Sequence, residues 1–269
     1  METLMDHTAL YALLATLGTW AVTALGAATV IFFKYPSQKI MNLTLGFASG
    51  VMISAAYWSL LAPAIEKAEG ASLPPYAVVT LGFLFGGIFM WGTDKIISLI
   101  RRKENTQSRA EISKRNRIFM SVFSITLHNI PEGLAIGVAF GALQHQMTPE
   151  GMMGAATLAL GIGLQNFPEG AAVSLPLRRE GYSRKKSFLI GQSSGIVEPI
   201  AGVLGAILVV FSEAILPYAL AFAAGAMILV AVHELIPECQ SEREKHPYLA
   251  TMGILFGFAA MMLLDVMLG

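Results

Sequence analysis

His128 and Glu132 stand four residues apart in LeuHisAsnIleProGluGly (127–133), and Gln165 and Glu169 stand at the same spacing in LeuGlnAsnPheProGluGly (164–170). Residues four apart share one face of a helix, so each segment presents two ligand atoms side by side. The two heptapeptides agree at five of seven positions after an offset of 37 residues. Each contains a proline, Pro131 or Pro168, that cannot donate the helical hydrogen bond to the carbonyl of Leu127 or Leu164. A bend and a free carbonyl at the level of the ligands are expected, with Gly133 and Gly170 leaving room for close approach. A third acid, Glu198, lies in SerGlyIleValGluPro (194–199). One imidazole, three carboxylates and the amides of Asn129, Gln165 and Asn166 make a nitrogen and oxygen donor set. Such a set suits zinc, iron, manganese or cobalt and lacks the soft ligands that favour copper(I). It could hold one divalent ion, or two bridged by the glutamates. Cys239 is the single cysteine, so neither an internal disulfide nor a multi-thiolate zinc site can form.

The elements that must position these groups are membrane helices. Of 269 residues, 55% are hydrophobic and 13% are charged, against roughly 25% charged in a soluble domain. Apolar stretches of the roughly 20 residues needed to cross a bilayer run over 10–33, 40–64, 75–97, 118–143, 151–177, 187–210, 214–236 and 248–268. The expected fold is an all-α membrane protein, a single eight-helix domain over 1–269. The 10-residue alternation of an outer-membrane strand is absent, which excludes a β-barrel. Eighteen acids balance 18 bases, so no overall basic field exists to recruit nucleic acid. The first residues carry acids rather than a basic leader region, and the first apolar stretch is read as a permanent span.

All of the bases except Lys67 and Lys95 fall in the loops after spans one, three, five and seven. The positive-inside rule then puts those loops in the cytoplasm and both termini outside it, in an inner (plasma) membrane. The polar segment 98–117 is read as a flexible cytoplasmic loop without histidine. Spans four and five are consecutive and hence antiparallel, so the duplicated motif is an inverted repeat of the kind transporters use. Glu132, Glu169 and Glu198 fall well inside their spans, where each charge costs about 2.5–3.5 kcal/mol. With no basic partner in those spans, they must be protonated or neutralised by a cation.

Other residues read more plainly. Gly82, Gly86, Gly87, Gly202 and Gly205 are expected at helix contacts. Met52 alone reads as packing, and Asp94 with Lys95 as an interfacial pair. His233, Glu234 and Glu238 form either a solvated helix end or an exit site for a cation. Asp6, His7, Glu66 and Glu69 face outside and read as surface that could attract cations.

The motifs HisAsnIleProGluGly, GlnAsnPheProGluGly and SerGlyIleValGluPro, in register on three successive spans, resemble the signature of the ZIP (zinc/iron permease, Zrt/Irt-like) family, in its prokaryotic, GufA-like branch. The likeness extends over essentially the whole chain. It implies a divalent metal transporter with inverted repeats and a binuclear centre midway across the membrane. One ion would take His128, Glu132, Gln165 and Glu169 with Met52 as a soft ligand; the second would take Asn129, Glu132, Asn166, Glu169 and Glu198. The resemblance further implies Glu66 at the outer entrance and His233 and Glu234 on the inner release path. It also implies an elevator-like or rocking, alternating-access movement of spans one, four, five and six against two, three, seven and eight, usually in a homodimer. Two departures are plain: Gln165 stands where many relatives have histidine, and Asn166 is neutral, which weakens the second site as a cation trap.

The function expected is uptake of Zn²⁺, or of Cd²⁺, Fe²⁺, Mn²⁺ or Co²⁺, with the metal as substrate rather than cofactor. No phosphate-binding loop is present, so an ion gradient and the membrane potential would drive it. The competing reading is an intramembrane metal-dependent hydrolase, in which zinc activates water and a glutamate is the base. It is disfavoured because no HisGluXaaXaaHis pair exists. The chain is therefore expected not to be an enzyme.

Overall fold

With no water in the hydrocarbon layer, backbone groups must be satisfied within each segment, and the apolar stretches are helices throughout the computed structural model of the protein. It describes residues 2–33, 37–70, 73–105, 110–144, 147–211, 213–240 and 248–268. Of the basic loop positions, Lys34, Arg109, Arg243 and Lys245 lie outside these. Eight long helices are found among the described residues: α1 (Glu2–Ala27), α2 (Gln38–Lys67), α3 (Pro75–Asn105), α4 (Ala110–Ala142), α5 (Pro149–Arg179), α6 (Arg184–Val209), α7 (Leu216–Cys239) and α8 (Leu249–Leu268). No strand occurs among them.

All but α4 and α5 contain a described stretch long and apolar enough to cross a membrane. Those two span 33 and 31 residues, ample length for a crossing, but they carry the polar motifs. The segment read as a flexible loop is helical as far as Asn105 and again from Ala110. Arg101, Arg102, Lys103 and Glu104 are good helix formers, so α3 continues past its apolar stretch.

Local sequence explains where helices start and deform. Thr148 caps α5 by accepting from the Gly151 amide at 3.0 Å, with Pro149 in the first turn. Gly181, at φ +95°, turns the chain toward Ser183, which caps α6 by accepting from the Lys186 amide. Helices α4 and α5 run unbroken through Pro131 and Pro168. Helix α6 instead passes through a 3₁₀ turn at Ser194–Ile196, because Pro199 has no amide hydrogen for the Gly195 carbonyl. Both α2 and α7 contain a π turn, Ala56–Leu61 and Ala231–Leu235, each just before a proline, Pro63 or Pro237.

Four helices, α1, α4, α5 and α6, pack on one another; α2 packs on α8 and α3 on α7, and α2–α5 and α4–α7 contacts join the two groups. Small residues set the closest approaches. A Cβ at Gly86 would come within 1.9 Å of the Phe222 carbonyl oxygen, and one at Gly137 within 2.0 Å of that of Gly202. Gly82 lies against Tyr218 and Ala221, Gly202 against Thr16, and Gly205 against the Leu134 backbone. Gly82, Gly86, Gly87, Gly202 and Gly205 thus sit at helix contacts, as their placement predicts. The main apolar core includes Met52, Leu60, Ile136, Leu158, Met227 and Met261.

Candidate metal centre

The face of α4 that carries the motif meets α5 and the broken middle of α6. Gly133 permits this, since a Cβ there would lie 2.5 Å from the Glu198 carbonyl oxygen; Gly170 does the same for α5 against α1, where the Thr23 carbonyl oxygen would be 2.1 Å away. At this level His128, Asn129, Glu132, Gln165, Asn166, Glu169 and Glu198 are all buried. Burying so many polar groups is tolerable only if each finds a partner.

Glu132 is completely enclosed and accepts a hydrogen bond from Gln165 Nε2 on its Oε1 at 2.6 Å. Across the site, Glu198 accepts from Thr19 Oγ1 at 2.5 Å and from Asn166 Nδ2 at 2.9 and 3.0 Å. Asn129 Nδ2 donates to the Ser194 carbonyl at 3.1 Å and reaches Glu198 at 3.5 Å. Glu132, Glu169 and Glu198 lie within electrostatic reach of one another, and Glu169 within reach of His128 and Glu234.

Four buried oxygens in this cluster have no hydrogen-bond donor: Glu132 Oε2, Gln165 Oε1, Asn129 Oδ1 and Asn166 Oδ1. All four are oxygens of the kind that hard cations take as ligands. An uncompensated oxygen of this kind costs about 1–3 kcal/mol, and a divalent cation is the species that would satisfy several together.

His128 turns the other way along α4. Its Nε2 lies 3.0 Å from Glu234 Oε1 of α7 and 3.4 Å from Asp94 Oδ1 of α3. One ligand atom from each of these three residues lies within 4.8 Å of the others. Asp94 therefore faces inward to the imidazole, a contact that its reading as an interfacial pair with Lys95 did not include; Lys95 sits 4.8 Å over the Trp91 ring. The helical spacing of α3 held no clue to this, since Asp94 is its one acid within the apolar stretch. The π turn of α7 carries Glu234 to His128, while His233 is exposed. Buried and partly buried acids thus form a file from Glu198 past Glu132 and Glu169 to Glu234 and Asp94, with the His128 imidazole between the last two.

At the opposite end, where α4 finishes and α5 begins, a cavity of about 570 Å³ is lined by Ser59, Glu66, Ala139, Thr148, Glu150 and Asp265, among others. Ser59 Oγ donates to Asp265 Oδ1 at 2.7 Å. Ala139 is two helical turns, about 10 Å, from Glu132. Glu66 is exposed at this mouth and Met52 is buried in the core of α2. His7 and Glu69 are exposed, Glu238 is exposed at the end of α7, and the side chain of Asp6 lies outside the described residues.

The sequence reading missed Thr19 and Thr23. With Thr8 and Thr16 they form a buried hydroxyl stripe along α1, at spacings of three, four and eight that were legible in principle.

Comparison with known proteins finds relatives along nearly the whole chain. The family model described as ZIP Zinc transporter matches residues 7–117 and 101–265. Zinc transporter ZIP11 of Homo sapiens is 38% identical over 99% of this chain and 100% of its own length. Zinc transporter GufA of Myxococcus xanthus is 35% identical over 96% of this chain and 98% of its own. Zinc transporter ZIPB of Bordetella bronchiseptica is 36% identical over 96% of this chain and 82% of its own.

Proposed function

The chain belongs to the ZIP zinc transporter family, and from that premise we propose that it carries divalent metal ions, Zn²⁺ first among them, across the cell's inner membrane into the cytoplasm. Cd²⁺, Fe²⁺, Mn²⁺ and Co²⁺ suit the same donor set. The relatives are named as transporters, and this chain is a transporter, not an enzyme.

The observation that carries the reading is the group of four donorless oxygens on α4 and α5, enclosed beside Glu169. A cation entering from the cavity at Glu66 and Asp265 would be partly dehydrated among Glu132, Gln165, Glu169, Asn129 and Asn166, with Met52, His128 and Glu198 around them. It would leave past His128, Glu234 and Asp94, with His233 at the inner mouth. The basic loops put that mouth in the cytoplasm and both termini outside. Carriage would proceed by an elevator-like or rocking movement of α1, α4, α5 and α6 against the remaining helices, a reading that the mutual packing of these four supports. A homodimer is the assembly in which this step is expected.

The test is zinc flux into proteoliposomes without nucleotide. Wild type should give saturable flux, and Glu132→Ala should abolish it. A wild type that binds zinc but carries none would overturn transport.

A further inference from the structure

Glu198 is treated differently from the other buried acids. Both of its oxygens are already occupied by neutral donors. Oε2 accepts from Thr19 Oγ1 and Asn166 Nδ2; Oε1 accepts from Asn166 Nδ2, with Thr23 Oγ1 and Asn129 Nδ2 each at 3.5 Å. Glu132 Oε2, by contrast, has no partner. The backbone is built to let Glu198 reach this cage. A Cβ at Gly195 would stand 2.9 Å from Glu198 Oε1 and 3.1 Å from Thr23 Oγ1, so the missing side chain leaves the space in which the carboxylate lies.

The amides of Asn129 and Asn166 show what the cage does. A carboxamide is planar, with its nitrogen and oxygen on the same carbon pointing apart. With both nitrogens on Glu198, and that of Asn129 also on the Ser194 carbonyl, both Oδ1 atoms are turned away from Glu198 and are left buried without a donor. They join Glu132 Oε2 and Gln165 Oε1 in that condition.

We infer that the α4–α5 site of this chain holds one metal ion, not two, and that Glu198 is a positioning residue for it. Held by Thr19 and Thr23 of α1, Glu198 orients the asparagine carbonyls toward the ion without touching it. A second ion on Glu198 would displace two hydroxyl and two amide donors from a carboxylate that is fully enclosed. Asn166, with no charge of its own, offers nothing to offset that. The metal count follows from the neutral residue at 166 and the threonines of α1 together.

This inference deepens the transport reading and rests on it, so the experiment separates the two. Purified full-length protein is dialysed to equilibrium against ⁶⁵Zn²⁺ as wild type, Glu132→Gln, Glu198→Gln, Thr19→Val and Thr19→Ser. Glu198→Gln should keep the wild-type number of ions and lower affinity by about 10- to 100-fold, the usual effect of losing an outer-shell partner. Thr19→Val should weaken binding in the same direction at unchanged count, and Thr19→Ser, which keeps the hydroxyl, should restore it; a merely structural threonine would give no such rescue. Glu132→Gln should lose an ion. If Glu198→Gln loses one whole ion relative to wild type, the inference is overturned while the transport site stands. If Glu132→Gln loses none, the site itself is misplaced and both readings fail.

Discussion

Replacing Gly133 by alanine probes the contact on which the whole site depends. The added Cβ would meet the Glu198 carbonyl oxygen at 2.5 Å, the Glu198 Cα at 2.8 Å and the Ala201 Cβ at 2.9 Å. Two of these atoms are backbone and cannot swing aside, so α4 and α6 must part by about 0.9 Å to reach ordinary contact at 3.4 Å. Overpacking of this kind costs about 1–3 kcal/mol. The better helix propensity of alanine returns about 1 kcal/mol, which hides part of the effect. Gly163→Ala supplies the reference, because a Cβ there meets only Thr19 and Val22 methyl groups at 3.9 Å. The Gly133 variant should therefore melt below the Gly163 variant by about 2–12 °C in detergent, at about 2–4 °C per kcal/mol for a chain of this size. The same separation pulls Ser194 and Glu198 from Asn129, whose amide bonds there are 3.1 and 3.5 Å long. Zinc affinity should then fall by about 10- to 100-fold in the Gly133 variant and stay at wild type in the Gly163 variant. Equal melting temperatures and equal zinc affinities for the two would refute the close approach and the positioning drawn from it.

Two further outcomes are expected. Asp94→Asn, which removes one anion from the group around His128, should lower the maximal zinc flux in proteoliposomes by about 10-fold and leave the half-saturating external zinc concentration unchanged; the reverse pattern would place Asp94 at entry rather than release. In a Cys239→Ser background, a cysteine replacing exposed Glu150 in the first turn of α5 should react with an impermeant maleimide added outside intact cells, whereas one replacing exposed Lys185 at the start of α6 should not. Inverted labelling would reverse the orientation assigned from the basic loops.

Much of this protein is legible in its residues because a membrane leaves few options. Unbroken apolar stretches must become helices where water cannot satisfy the backbone, and Gly82 and Gly86 of span three and Gly202 and Gly205 of span six go to helix contacts because only small residues let backbones approach. The fourfold spacing in the two motifs likewise places His128 with Glu132, and Gln165 with Glu169, on single helix faces. The spacing left undetermined which groups on neighbouring helices complete those faces. Asp94 is remote from the motifs in sequence, and only the packing of α3 beside α4 and the π turn of α7 bring it and Glu234 to His128. Glu198 looked equivalent to Glu132 as a buried acid. What separates them is the hydroxyl stripe of α1, whose Thr19 and Thr23 occupy one carboxylate and leave the other with a free oxygen. Periodicity along one helix reports which side chains share a face, whereas the partner of a buried polar atom depends on the rotation and depth of the helix opposite, and those are set by packing across the bundle.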